Sequence, residues 1–163
     1  MLRHLVNILL WFLPPSRLFW LRRALLRLAG VDLAAGVKYC GRGWIYGRGR
    51  LSIGRDSWFS PGVIVYTHLD VPVVVGARCD LGPGVELITG SHSIGDAARR
   101  AGAGTARAIS IGDGCWICAG ARILGGVTVG SGSVIAAGAL VIRDVRPNTL
   151  VAGMPAEPKK VLS

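Results

Sequence analysis

Ile-Gly-Asp-Gly-Cys-Trp, Ile-Cys-Ala-Gly-Ala-Arg, Ile-Leu-Gly-Gly-Val-Thr, Val-Gly-Ser-Gly-Ser-Val, Ile-Ala-Ala-Gly-Ala-Leu and Val-Ile-Arg-Asp-Val run without a break from residue 111 to residue 145. Ile111, Ile117, Ile123, Val129, Ile135 and Val141 form a ladder of branched aliphatics spaced by six. A second ladder of small residues stands four places after each: Cys115, Ala121, Val127, Ser133, Ala139 and Val145. A helix repeats every 3.6 residues and a strand every 2.0. Three sixes instead make one triangular turn of a parallel β-helix, an all-β solenoid built from hexapeptide repeats. Each coil then offers one bulky aliphatic per side to a narrow core and depends on its neighbours for burial.

The ladder continues upstream. Ile53 with Ser57, Phe59 with Val63, Val75 with Cys79, Leu81 with Val85 and Leu87 with Ser91 fit the same template. Glycine follows many first positions (Ile53-Gly54, Val75-Gly76, Leu81-Gly82, Ile111-Gly112, Val129-Gly130), where tight bends are expected to call for positive φ. Two interruptions stand out. About four residues are inserted around Tyr66–Pro72, and residues 93–108 do not fit the template at all. The second reads as an excursion that starts directly after Ser91-His92, and long loops on rigid scaffolds are often functional.

The chain has 163 residues, 24 of them glycine, which suits one tightly turning domain. Its net charge of +10 is uneven: residues 1–50 hold nine Lys or Arg against one acid, Asp32. That segment differs in kind. Leu2–Leu13 and Ser16–Leu28 are apolar-rich and read as two helices separated by Pro14-Pro15. Leu18, Leu21, Leu25 and Leu28 share one face, with Arg22, Arg23 and Arg27 largely away from it. The expected division is a helical cap over residues 1–34, a β-helix over 35–146 with its excursion at 93–108, and a tail over 147–163. Two roles are open for residues 1–30: capping the solenoid's end, or capping plus contact with an anionic membrane surface. The apolar run Leu5–Leu13 is too short to span a bilayer. The four cysteines fall on or beside the hexad ladders rather than in a disulfide framework, and a cytoplasmic protein, with or without peripheral contact at the inner membrane face, is the simplest account. No nucleic-acid partner is expected.

Of three histidines, His92 is the one placed for chemistry, at the base of the excursion. Imidazole can take a proton from a hydroxyl near neutral pH. Three stretches then carry a family resemblance: Thr89-Gly90-Ser91-His92; Ile109-Ser110-Ile111-Gly112-Asp113-Gly114-Cys115-Trp116-Ile117; and Val141-Ile142-Arg143-Asp144 with Val151-Ala152-Gly153-Met154-Pro155-Ala156. Over about residues 45–162 the chain resembles the hexapeptide-repeat acyltransferases, especially acetyltransferases acting on galactosides, maltose, serine and exopolysaccharide sugars.

The resemblance implies a left-handed parallel β-helix, an exception to the usual right-handed crossover. It implies a homotrimer with sites between subunits, acetyl-CoA as donor and no metal. His92 matches the family's catalytic base, and Trp116 its cleft tryptophan. Ala119 and Ala137 match backbone along the pantetheine arm. Arg143 and Lys160 are the remaining candidates for CoA phosphates. Ser60 falls where galactoside enzymes carry an acceptor-binding asparagine, and His68 and Asp70 lie near their acceptor-binding aspartate. Other readings stay open: a longer acyl donor, an amino-sugar acceptor, a zinc hydratase with three histidines, or a scaffold without catalysis.

Overall fold

The computed structural model describes residues 1–163. Its strands are two to six residues long and form three parallel sheets. Sheet A stacks Asp32–Leu33, Leu51–Ile53, Val73–Val75, Ile109–Ile111 and Thr128–Val129. Sheet B stacks Lys38–Tyr39, Trp58–Phe59, Asp80–Leu81, Trp116–Ile117, Val134–Ile135 and Thr149–Ala152, with Glu157–Val161 added antiparallel at its end. Sheet C stacks Trp44–Tyr46, Ile64–Tyr66, Glu86–Ile88, Arg122–Leu124 and Leu140–Val141. The chain visits the sheets in rotation, A, B, C and again A, so each circuit lays one strand on each face of a three-sided coil.

Both ladders point into this coil. All six branched aliphatics from Ile111 to Val141 are buried, as are all six small residues from Cys115 to Val145. They stack in columns, such as Phe59 on Leu81 on Ile117 on Ile135 on Val151 along sheet B. Each buried aliphatic contributes about 1.5–3 kcal/mol. One column at the corner between sheets A and B is polar. Ser57 Oγ donates to Gly76 O at 2.8 Å, Cys79 Sγ to Gly112 O at 3.1 Å, Cys115 Sγ to Gly130 O at 3.2 Å and Ser133 Oγ to Arg146 O at 2.8 Å. These short side chains satisfy carbonyls of the next coil that apolar residues would leave unpaired.

Two sequence expectations change here. The glycines that follow the aliphatics do not supply positive φ. A Cβ at Gly112 would stand 2.5 Å from Ser131 Oγ and 2.6 Å from Ser131 N, so that glycine allows two coils to approach. Gly114, two places on, takes the left-handed conformation at φ +67°. Leu87 also does not pair with Ser91, which is exposed. The chain leaves the coil at Gly90, and Leu87's small-ladder place is filled by the buried Ile109.

Strand register measures both interruptions. Ile123 stacks on Val141, three hexads further along the chain. Ile64 stacks on Glu86, a step four longer than three hexads, and a small antiparallel bridge joins His68 to Val71 inside the surplus. Glu86 stacks on Arg122, six hexads further on, so one coil carries the length of two. The excess is an antiparallel hairpin of Gly90–Ile94 and Ala101–Ala106. It opens at Gly90 rather than at residue 93. At the other end, Thr149–Ala152 stacks on Val134–Ile135, so the segment expected as a tail continues the coil.

Helices α1 (Leu2–Phe12) and α2 (Phe19–Leu28) close the open end. Asn7 bonds the backbone N–H and C=O of Ile45, at 3.2 and 2.9 Å, completing the edge strand of sheet C. The basic face expected on α2 is only partly turned to solvent. Arg22 is fully buried, and its guanidinium donates to the carbonyls of Leu10 (3.2 Å), Leu13 (3.2 Å) and Pro14 (2.8 Å) at the end of α1 and of Arg17 (2.9 Å) before α2. Arg3 of α1 does the converse, donating to Ala29 O (3.2 Å) and Gly30 O (3.4 Å) beyond α2. Arg23 and Arg27 donate to Val37 O and Leu33 O in the first coil. A guanidinium offers five donors in a fixed fork, which suits several orphan carbonyls at a helix end. Leu18 and Leu28 are exposed instead.

Candidate active site

His92 lies in the middle of the first hairpin strand, opposite Gly104, rather than at a coil corner. Its Nδ1 is 3.0 Å from the carbonyl oxygen of Gly102. A carbonyl only accepts, so this bond places the proton of a neutral imidazole on Nδ1 and leaves Nε2 with its lone pair. The pairing slips between His92 and Ile94, which lets Gly102 rather than Gly104 reach the ring. The histidine lines a cleft of about 440 Å³ with Ser91, Ser93, Thr105, Arg107 and Gly125. Arg107 has no carboxylate within ion-pairing distance. Sequence reasoning passes over it; the available signal is its place as the last residue of the excursion.

His68 and Asp70 sit on the same edge of the prism, where sheet C gives way to sheet A, one coil before the hairpin. His68 Nδ1 stands 3.4 Å from Asp70 Oδ2, both groups largely exposed. Arg143 follows on this edge after Leu140–Val141, its guanidinium 3.6 Å from Glu157. Its charge is therefore met within the chain.

The other candidates gather on a different edge. Trp116, 56% exposed, projects from sheet B. It shares an open cleft of about 560 Å³ with Trp58, Ser60, Asp80, Gly82 and Pro83. Trp58 Nε1 donates to Ser60 Oγ at 3.1 Å. Ala119 and Ala137 stand at the following corner, between sheets B and C, one coil apart and both exposed. Gly138 N donates to Ala119 O at 2.9 Å. Gly82, Ala119 and Ala137 form a track of small residues along this corner, without a large side chain. Lys160 is exposed on the last strand of sheet B, opposite Leu150.

The structure thus sorts the candidates differently from the sequence. His92, His68, Asp70 and Arg143 share the edge between sheets C and A. Ser60, Trp116, Ala119 and Ala137 lie on sheet B and its edge with C. Ser60, expected beside the acceptor, is with the expected donor residues; Arg143, expected with the donor, is on the histidine's edge. His4, the third histidine, packs edge-on against Trp44 at 5.3 Å. No three His, Cys, Asp or Glu side chains are grouped as a metal site would need.

A family model described as bacterial transferase hexapeptide (six repeats) matches residues 108–143. Nodulation protein L of Rhizobium meliloti is 43% identical over 107 residues, covering 65% of this chain and 57% of that protein. The chain spans 45% to 57% of the length of the curated relatives it matches. A hexapeptide-repeat acetyltransferase of Vibrio cholerae, solved with acetyl coenzyme A, superposes with a TM-score of 0.80 at 25% identity, covering 99% of this chain and 86% of that one. A galactoside acetyltransferase solved with coenzyme A gives 0.75 at 25% identity, covering 99% and 79%. With the two ladders, the three sheets visited in rotation and the Gly-x-x-x-Trp-Ile element on sheet B, these likenesses make the chain similar in fold and sequence to the hexapeptide-repeat acetyltransferases.

Proposed function

We propose that the protein transfers an acetyl group from acetyl-CoA to a hydroxyl of a saccharide or polysaccharide precursor, with His92 as general base. The observation that carries this reading is the 3.0 Å bond from His92 Nδ1 to Gly102 O, which keeps Nε2 free beside an open cleft. In this mechanism Nε2 removes the hydroxyl proton as the acceptor oxygen attacks the thioester carbonyl. The C–S bond then breaks, and the departing thiolate of CoA recovers the proton from the imidazolium. A backbone N–H holds the oxyanion. His68, Asp70 and Arg107 form the polar surroundings for the acceptor. The track at Gly82, Ala119 and Ala137 takes the pantetheine arm, beside Trp116, and Lys160 would meet a phosphate.

The two candidate edges are separate within one chain. A homotrimer, with the coil left-handed as in the family, brings the histidine edge of one protomer against the sheet B edge of the next. Acetyl-CoA as donor points to a reaction in the cytoplasm. The galactoside enzyme supports the saccharide class by its name. The test is release of CoA thiol with a panel of saccharides and lipid-linked sugars. A folded His92→Ala variant is expected to lose about 10²–10⁴ in turnover; normal turnover would refute the mechanism. Mixed trimers of His92→Ala and Trp116→Ala protomers, each inactive alone, should regain activity if the site is shared. Failure to regain it would refute the shared site.

A further inference from the structure

We infer that α1 docks the protein on an anionic phospholipid surface through a stripe that the fold leaves uncovered. Leu2, Leu5, Leu9 and Phe12 are 49%, 50%, 53% and 79% exposed. At about 100° per residue they fall within roughly 80° of the helix circumference. The buried side of the same helix carries Arg3, Val6, Asn7 and Leu10, which close the coil. The stripe is therefore surplus to capping. It is also continuous with a groove of about 520 Å³ between α1 and the outer face of sheet C, where Trp11 and Trp44 stand.

Charge selects the occupant. Residues 1–31 contain no acid. Arg42 lies over the Trp11 ring, 5.5 Å from its centroid, at one end of the stripe. Arg48 lines a cleft with Met1 and His4 at the other end. On the outer face of sheet C, Glu86 is paired with Arg122 at 3.5 Å. An apolar stripe with tryptophan at its border and cations at both ends matches the boundary between headgroups and acyl chains. With 11 residues, α1 can lie in that boundary, and no helix is long and apolar enough to cross a membrane. Of the cations of α2, Arg22 is fully buried, while Arg23 and Arg27 are held to carbonyls of the first coil rather than to the stripe.

The experiment is co-sedimentation of the full-length protein with phosphatidylcholine vesicles, with and without phosphatidylglycerol. Binding is expected with the anionic vesicles, weakened by salt, with a blue shift in tryptophan emission. The Leu5→Glu/Leu9→Glu variant replaces exposed side chains and should keep the parent's circular dichroism and unfolding midpoint while losing about tenfold or more in partitioning. If that variant does not fold, quenching of tryptophan emission by brominated lipid in the unaltered protein decides: quenching supports docking, and its absence overturns it. Three results overturn the proposal: no binding to anionic vesicles, unchanged binding by the folded variant, or a stripe that proves to be a contact between copies. The last would show as a change of oligomeric mass in the variant with no vesicle binding by the parent. Catalytic activity enters none of these readouts, so the docking and the proposed reaction stand or fall separately.

Discussion

Removal of residues 90–107, joining Thr89 to Ala108, should leave a sound coil without acetyl transfer. The junction is set by stacking. Gly126 N donates to Ala108 O at 2.8 Å, and a Cβ on Gly125 would stand 2.6 Å from Thr89 O, so Gly125 and Gly126 lie over Thr89 and Ala108 as one turn lies over another. Without the hairpin, Glu86 and Arg122 would again be three hexads apart. Every residue of Gly90–Ile94 is exposed, so the hairpin adds little burial. Closing a loop of this length costs about (3/2)RT ln n, or roughly 2.6 kcal/mol, which the deletion recovers. Against this, Gly126 has φ +93°. Ala108 would take the equivalent corner, at a cost of about 1–2 kcal/mol for a residue bearing Cβ. The deletion should therefore also carry Ala108→Gly. We expect an unfolding free energy between unchanged and about 2.6 kcal/mol higher, or a midpoint raised by up to about 10 °C. Chemical denaturation measures the first and calorimetry the second, with CoA-thiol release as the activity assay. A loss of more than about 2 kcal/mol would show that the hairpin is structural, and retained acetyl transfer would remove His92 from the chemistry.

Arg22→Met should cost about 3–5 kcal/mol, because four carbonyls between the end of α1 and the start of α2 lose a buried donor; the unfolding midpoint should fall by roughly 10 °C. Gly112→Ala should destabilise by about 1–3 kcal/mol through collision with Ser131, whereas Gly114→Ala, with open space around it, should cost only about 1 kcal/mol for its positive φ. The reverse order in denaturation midpoints would refute the division of labour between these glycines. Tyr39 Oη is buried without a hydrogen-bond partner, so Tyr39→Phe should be neutral or stabilising by about 1 kcal/mol. Burial raises the Tyr39 phenol well above its ordinary value of about 10, so the folded state keeps a proton that the unfolded chain releases. The stability is complete below about pH 10 and falls as pH rises beyond it, and this alkaline slope should weaken in the variant.

The coil is legible in the sequence because a period of six is imposed on every coil by the same narrow core, and one chain suffices to display it. The start of the excursion is not, for an arithmetic reason. The hairpin adds the length of three hexads, a multiple of the period, so it does not shift the ladder's phase, and Gly90-Ser91-His92 can be fitted as a further hexad. The extra four residues at His68–Val71 do shift the phase, and are visible. The cap's arginines escape such a reading because amphipathic patterning assigns every charge to solvent. A fully buried guanidinium makes sense only once the carbonyls of Leu10, Leu13 and Pro14 are brought to it by the turn between the helices. His92 is legible as a candidate, but its contact with Gly102 depends on a slip in hairpin pairing that no periodicity encodes.

Both departures from the period leave from one edge of the prism, on successive coils, and the core does not register either. Val73–Val75 pairs directly with Ile109–Ile111, although six hexads of sequence separate them. A coil of this kind accepts an insertion at a corner provided the chain returns to the next strand in phase. The edge between sheets A and B is closed to this use. Its corners are tied from coil to coil by Ala77 N donating to Asp113 Oδ1 at 2.8 Å, Asp113 N donating to Ser131 Oγ at 3.1 Å and the buried column of Ser57, Cys79, Cys115 and Ser133. The edge between sheets B and C carries Gly82, Ala119 and Ala137, small residues whose coils are joined by backbone bonds alone, such as Gly138 N to Ala119 O at 2.9 Å. The three edges thus differ in what they can host: one is crossed by side-chain bonds, one is lined by small residues, and one carries polar loops. In the proposed reaction an extended donor would lie along the small-residue edge, which no large side chain obstructs. An acceptor of variable shape suits the loops, which can change without altering a buried residue.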